Sequence, residues 1–188
     1  MKIRWPPSSL GLGTPLNLAT LSPEGRRIAR KTWWWVILLA IATPAVMLGL
    51  DQVFFAGSSL ERIRVLGAEP IGLRILILLY SAVTEEIVYR LGWATLFAWL
   101  AHLALSRRAR QAKTLSQWIG VAAAAVLFGL AHAGNLPDIA HPVLRAVTVN
   151  GVAGVVLGGL YWWRGLEMAI LTHLLAIALL YLALPPFI

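Results

Sequence analysis

A chain of 188 residues that is 59% hydrophobic and only 13% charged, with a mean hydropathy of +0.76, is too apolar for a soluble domain, which carries about 25% charged residues. The formal net charge of +8 does not point to nucleic acid, because the basic residues cluster beside apolar runs rather than along a soluble face, as the positive-inside rule describes. The absence of cysteine excludes a disulfide framework, a thiol nucleophile and a Cys-ligated metal.

Residues 1–32 read as a polar tail containing Pro, Ser and Gly and ending in Arg26, Arg27, Arg30 and Lys31. It is expected to be loosely ordered, with its basic end on the cytoplasmic lipid surface. Basic residues before an apolar run also resemble a signal peptide, and Arg26-Arg27 a twin-arginine signal. The length of the run and the spans behind it argue for a membrane helix instead. The first span is expected over 33–50, opened by Trp33, Trp34 and Trp35 at the interface. A loop over 51–70 carries Asp51, Glu61, Arg62, Arg64 and Glu69.

Residues 71–105 are then apolar for 35 positions. One straight helix of that length would measure roughly 50 Å, more than the ~30 Å hydrocarbon core, so tilt, protrusion or a break near Gly92 is expected. A basic connector follows, with Arg107, Arg108, Arg110 and Lys113. Spans over 116–134 and 142–162, joined by a loop through Pro137, and a last span over 167–187 beyond Arg164-Gly165 complete the pattern. Gly154 and Gly158 mark a close helix contact in the fourth span. Because runs this long span lipid as helices, the expected fold is all-α: a polytopic transmembrane helical bundle of five or six spans, with residues 33–188 as the membrane domain. Placing the N-terminus in the cytoplasm puts eleven of the sixteen Lys and Arg inside: six in the tail, four in the connector and Arg164.

Two adjacent carboxylates, Glu85 and Glu86, fall inside the 71–105 run. A charge at mid-membrane costs about 2.5–3.5 kcal/mol on insertion scales, so such groups are functional candidates. Glu86 and Arg90 share a helix face at i, i+4 with glutamate first, the favourable order; Glu85 points about 100° away. Arg90 keeps Glu86 ionised and structural, leaving Glu85 to accept protons. The pair could instead be a packing device, although packing needs one glutamate rather than two. His132 shares a face with Phe128, and His173 lies early in the last span. Each could be a hydrogen-bonded packing residue; together with the glutamates they suggest one polar cavity. His102 and His141 lie near span ends and read as interfacial.

The order Glu-Glu-x-x-x-Arg, Phe-x-x-x-His and a later His resembles the CPBP family, the CAAX prenyl endoproteases and bacteriocin-processing enzymes also labelled Abi, a class of glutamic intramembrane protease. Glu85, Glu86 and Arg90 match the first motif, Phe128 and His132 the second, and His173 the third; the likeness covers about 80–175. It implies that Glu85 is the general base and His132 its partner in activating water, and that His173 stabilises the oxyanion. It implies no cofactor and no metal. The expected partners are the lipid bilayer and a membrane-tethered peptide or protein substrate, such as a bacteriocin or pheromone precursor, a sorting signal or a prenylated protein, in the plasma membrane. In the family, an asparagine four residues after the third-motif histidine assists the oxyanion. That position here is Ile177, and Asn150 in the preceding span is a candidate replacement; bonding between helices would also account for it.

Other readings use the same residues. A non-catalytic immunity or scaffold protein would retain the pair for packing. A His₂Glu set would suit zinc, although no His-Glu-x-x-His spacing is present. A proton-coupled transporter would use carboxylate and histidine relays, but there is no visible inverted repeat. On straight helices perpendicular to the membrane, Glu85 lies about 20 Å from the outer end of its span, while His132 and His173 lie about 24 Å and 9 Å from the inner ends of theirs. Convergence therefore requires tilt, or unwinding near Gly129 or Gly134.

Overall fold

The computed structural model describes residues 23–55, 58–105, 112–135 and 141–188. The expectations for the tail up to residue 22, for Arg107, Arg108 and Arg110 and for the loop at Pro137 lie outside them. Among the described residues every regular element is helical: α1 (Pro23–Phe54), α2 (Ser58–Ala68), α3 (Ile71–Glu86), α4 (Thr95–Leu105), α5 (Ala112–Ala131), α6 (Pro142–Arg164) and α7 (Leu166–Ala178). A π-helical segment, Ile87–Ala94, joins α3 to α4, and another, Leu179–Ala183, extends α7.

Among the described residues, four stretches are long and apolar enough to cross a membrane: Thr32–Phe54, Lys113–Ala131, Pro142–Arg164 and Leu166–Phe187. The chain is a multi-pass, all-α membrane bundle. The remaining expected span, 71–105, is helical throughout but rewound. Its 16 α-helical residues give way to eight π-helical ones and then to 11 more α-helical residues. The break expected near Gly92 is thus a change of winding that includes Gly92. α1 also starts earlier than the span expected from residue 33. Pro23, whose missing N–H is no loss in a first turn, opens it, so the backbone is helical through the basic segment.

The division between lipid face and interior follows from side-chain size. Leu38, Ile41, Leu76, Leu79 and Leu103 are exposed around the bundle, whereas Ala40, Ala82, Ala98, Ala125, Ala146 and Ala169 are buried in it. Lipid is as apolar as leucine, so burying large side chains gains little there, and close approach of backbones holds such helices together. A Cβ on Gly154 would lie 2.7 Å from the Ala125 backbone, one on Gly129 2.6 Å from Val147 Cα, and one on Gly120 2.3 Å from the Ala94 carbonyl oxygen. The expected contact at Gly154 and Gly158 is therefore an α5–α6 contact, Gly158 meeting Val121.

Gly154→Val is expected to destabilise the bundle by about 1–3 kcal/mol, as overpacking does, whereas Gly72→Ala, with nothing within 4 Å of the added carbon, is expected to be neutral. Thermal unfolding in detergent compares them, and equal midpoints would contradict the packing described.

Candidate active site

Glu86 ends α3, and the π-helical segment begins with the next residue. Its carboxylate is fully buried and has cationic or donor groups on both sides. Arg90 Nε lies 3.0 Å from Oε2, an ion pair rather than an aligned hydrogen bond, and His173 Nδ1 donates to Oε1 at 2.8 Å. Arg90, also buried, donates from Nη2 to the Ala153 carbonyl of α6 at 3.3 Å and lies 4.7 Å over the Phe128 ring of α5. One carboxylate therefore ties the first-motif helix to α7 directly, and to α5 and α6 through its arginine.

The π winding requires its own support, because its bonds run i→i+5 and leave carbonyls differently placed. The Arg90 carbonyl accepts from the Thr95 hydroxyl at 3.0 Å, and Thr95 Oγ1 lies 3.0 Å from the hydroxyl of buried Tyr161. At the second π segment, the Tyr181 carbonyl accepts from Arg74 Nε at 2.8 Å and also from Arg74 Nη2. Such segments often lie at functional sites; here one carries the residues that follow the glutamate pair.

Glu85 projects to the other side of α3. Its side chain is about a quarter exposed, and Oε2 lies 4.0 Å from His132 Nε2 and 3.9 Å from His173 Nε2. Both rings are fixed from behind. His132 Nδ1 donates to the Phe128 carbonyl at 2.7 Å, and His173 Nδ1 to Glu86. The Nε2 atoms are thereby left for the space in front of Glu85. The gaps are too long for direct hydrogen bonds. Each gap is of a width that a bridging water would fill.

These residues line one partly open cavity of about 500 Å³, walled by α1, α2, α3, α5, α6 and α7. Asn150 and Ile177 are on its wall, as are Tyr89 and Phe128. Phe128 packs edge-on to Tyr89, with centroids 5.2 Å apart, and 4.6 Å from the His132 ring. His102 and His141 do not line it. His141 is exposed at the start of α6, and His102 lies in the last turn of α4. Among the described residues, no group of three or more His, Asp or Glu side chains is arranged to hold a metal ion.

The depth mismatch expected from straight helices is therefore absent. α5 ends at Ala131, so His132 sits in the turn after it, before a 3-10 turn at Ala133–Asn135, rather than within a span running to residue 134. Gly129 lets this end of α5 press against the α6 backbone. Sequence reasoning passed over Arg145, Asp51, Tyr89 and Tyr161. A lone arginine in an apolar span was the available signal for Arg145; Asp51, Tyr89 and Tyr161 carried none.

The family described as Type II CAAX prenyl endopeptidase Rce1-like matches residues 67–179. The chain belongs to this family. It is thus a member of a CAAX-type membrane protease family, as the three motifs read in order suggested, and the match takes in Glu85, Glu86, Arg90, Phe128, His132 and His173. No curated protein and no solved structure matches the chain.

Removing one partner of a buried ion pair typically costs 3–5 kcal/mol. Arg90→Leu is expected to lower stability by about that amount, and Glu85→Gln, with its half-buried carboxyl, by less than about 1 kcal/mol. Denaturant unfolding in mixed micelles measures both. An Arg90→Leu variant as stable as wild type would contradict the bracing assigned to Glu86.

Proposed function

We propose that this protein is a glutamic intramembrane endopeptidase that hydrolyses a peptide bond in a membrane-associated or hydrophobic substrate. The observation that carries the reading is the placement of Glu85 Oε2 about equally far from His132 Nε2 and His173 Nε2, at 4.0 and 3.9 Å. Glu85 takes a proton from the water between these groups while His132, its Nδ1–H bonded to a carbonyl, accepts the second water hydrogen at Nε2. The hydroxyl oxygen attacks the peptide carbonyl carbon. The oxyanion that forms is met by Nε2–H of a protonated His173, whose charge the buried Glu86 stabilises. Collapse breaks the C–N bond, and Glu85 returns its proton to the leaving amine. General base catalysis contributes about 10²–10⁴-fold and an oxyanion donor about 10²–10³.

Ile177, buried on the cavity wall, supplies no hydrogen bond to the oxyanion. We assign the second donor to Asn150, which lines the same cavity. Ile177 also favours a second reading, a non-catalytic immunity or scaffold protein of the same fold. The zinc-dependent alternative uses the same Glu85, His132 and His173 donors.

Purified protein, Glu85→Gln and His132→Ala are compared on hydrophobic peptide libraries in liposomes. The protease reading expects kcat to fall at least 100-fold in both variants with folding retained, and cleavage to survive a chelator. Equal activity in all three would contradict it, and loss of activity on chelation with recovery on adding Zn²⁺ would establish the metal reading instead.

We also propose that the chain sits in the plasma membrane with its N-terminus cytoplasmic, on the charge bias of six tail, four connector and one turn residue. Because the chain has no cysteine, a single introduced thiol is a unique label. In intact cells an impermeant maleimide is expected to label Glu69→Cys and to spare Arg110→Cys; the reverse pattern would invert the topology.

A further inference from the structure

At one end of the bundle three helices bring tryptophans and cations together. α5 and α6 run antiparallel in a register fixed by Gly158 on Val121 and Gly154 on Ala125. Lys113, in the first turn of α5, therefore lies at the level of Arg164 and Gly165 at the end of α6. The Trp35 ring of α1 meets the Trp163 ring edge-on, with centroids 5.8 Å apart, so the start of α1 joins the same end. Arg26, Arg27, Arg30 and Lys31 occupy the helical turns of α1 just before it. Between α5 and α6 at this level lies a groove of about 200 Å³, lined by Gln117, Trp118, Val121, Gly159, Trp162 and Trp163. Trp118 and Trp163 are about half exposed, and none of these residues lines the cavity in front of Glu85. Gly159 keeps the groove open. A Cβ there would touch only the Trp118 ring, at 3.5 Å, and a longer side chain would enter the free space.

The cation at the mouth of this groove is unmatched. The Arg164 guanidinium carbon lies 3.9 Å over the Trp163 ring, a contact that uses its charge and satisfies none of its N–H donors. Its Nε is enclosed without a hydrogen-bond partner, and among the described residues no carboxylate pairs with it, Glu167 in the first turn of α7 included. We propose that the groove binds one anionic phospholipid, with the phosphodiester on Arg164 and Lys113 and an acyl chain along Gly159 between the Trp118 and Trp163 rings. The inference is independent of the proposed hydrolysis. A phosphodiester is the anion that a membrane surface offers, and its oxygens match the guanidinium fork in a bidentate fashion. Gln117, on the groove wall, supplies an amide donor. The surrounding cations choose between lipids: a zwitterionic headgroup brings an ammonium that they repel, whereas a headgroup of net negative charge is attracted. A free phosphate ion would satisfy Arg164 as well but would leave the apolar floor of the groove uncovered, so the lipid is the better fit.

Native mass spectrometry of the full chain in a neutral detergent counts bound lipids and yields their Kd. The probes are a phosphatidylglycerol, the phosphatidylcholine with the same acyl chains, and soluble glycerol 3-phosphate as a competitor. Wild type, Arg164→Gln, Arg164→Lys, Gly159→Leu and Arg64→Gln are compared, each checked for folding by thermal unfolding. The site predicts a single tightly held phosphatidylglycerol, preferred over phosphatidylcholine by about tenfold or more. Arg164→Gln loses most of that preference, and Arg164→Lys keeps part of it, because the charge remains without the fork. Gly159→Leu fills the groove and weakens phosphatidylglycerol several-fold. Arg64→Gln, which removes an exposed cation already paired with Glu61, changes nothing, and millimolar glycerol 3-phosphate does not displace the lipid. Equal affinity of wild type for the two lipids overturns the site, and this comparison stands even if a variant fails to fold. A preference that survives Arg164→Gln, or undiminished binding by Gly159→Leu, overturns it too. Displacement by glycerol 3-phosphate would make the ligand a soluble phosphate and overturn the lipid assignment.

Discussion

The Glu86 carboxylate is the constraint on which the rest of the site depends. It is wholly removed from solvent, and an ion so enclosed costs several kcal/mol unless partners surround it. Arg90 supplies the opposing charge at 3.0 Å, and the His173 ring supplies a hydrogen bond at 2.8 Å. Because the penalty for losing either partner is large, the distance between the first-motif helix and α7 is set by electrostatics. The orientation of His173 is set by the same contact, since its Nδ1 has only one use.

Glu85 inherits its position from this arrangement. Adjacent residues on a helix diverge, so anchoring Glu86 inward among α5, α6 and α7 turns Glu85 towards the cavity. Phe128 joins the two halves: its ring lies beneath the Arg90 guanidinium, and its carbonyl holds His132 by Nδ1. The two glutamates thus differ in environment, one a buried ion braced by an arginine and a histidine and the other a partly exposed carboxylate facing the cavity, a difference of the kind that enzymes use to separate paired carboxylates.

Much of this was legible in the sequence, and for physical reasons. The i, i+4 spacing of Glu86 and Arg90 states their contact, the charge inside an apolar run states that it matters, and the small residues at Gly154 and Gly158 state a backbone approach. The motif order led to the family that matches residues 67–179. The rewinding at Ile87–Ala94 was not legible beyond a break expected near Gly92, because π winding depends on tertiary partners such as Tyr161 on Thr95. The end of α5 at Ala131 was not legible either, and with straight helices assumed, His132 was placed at the wrong depth. Asp51 and Arg145 belong to different elements, α1 and α6, and only the fold shows that they pair.

The central claim is that a buried Glu86 holds three other groups, Glu85, His132 and His173, around one water. A high-resolution crystallographic map of the wild-type protein in a lipid phase tests it most directly. The account predicts an ordered solvent peak within about 3 Å of Glu85 Oε2, His132 Nε2 and His173 Nε2 together. Side chains dispersed to separate surfaces of the bundle, or a dry contact among them, would contradict it.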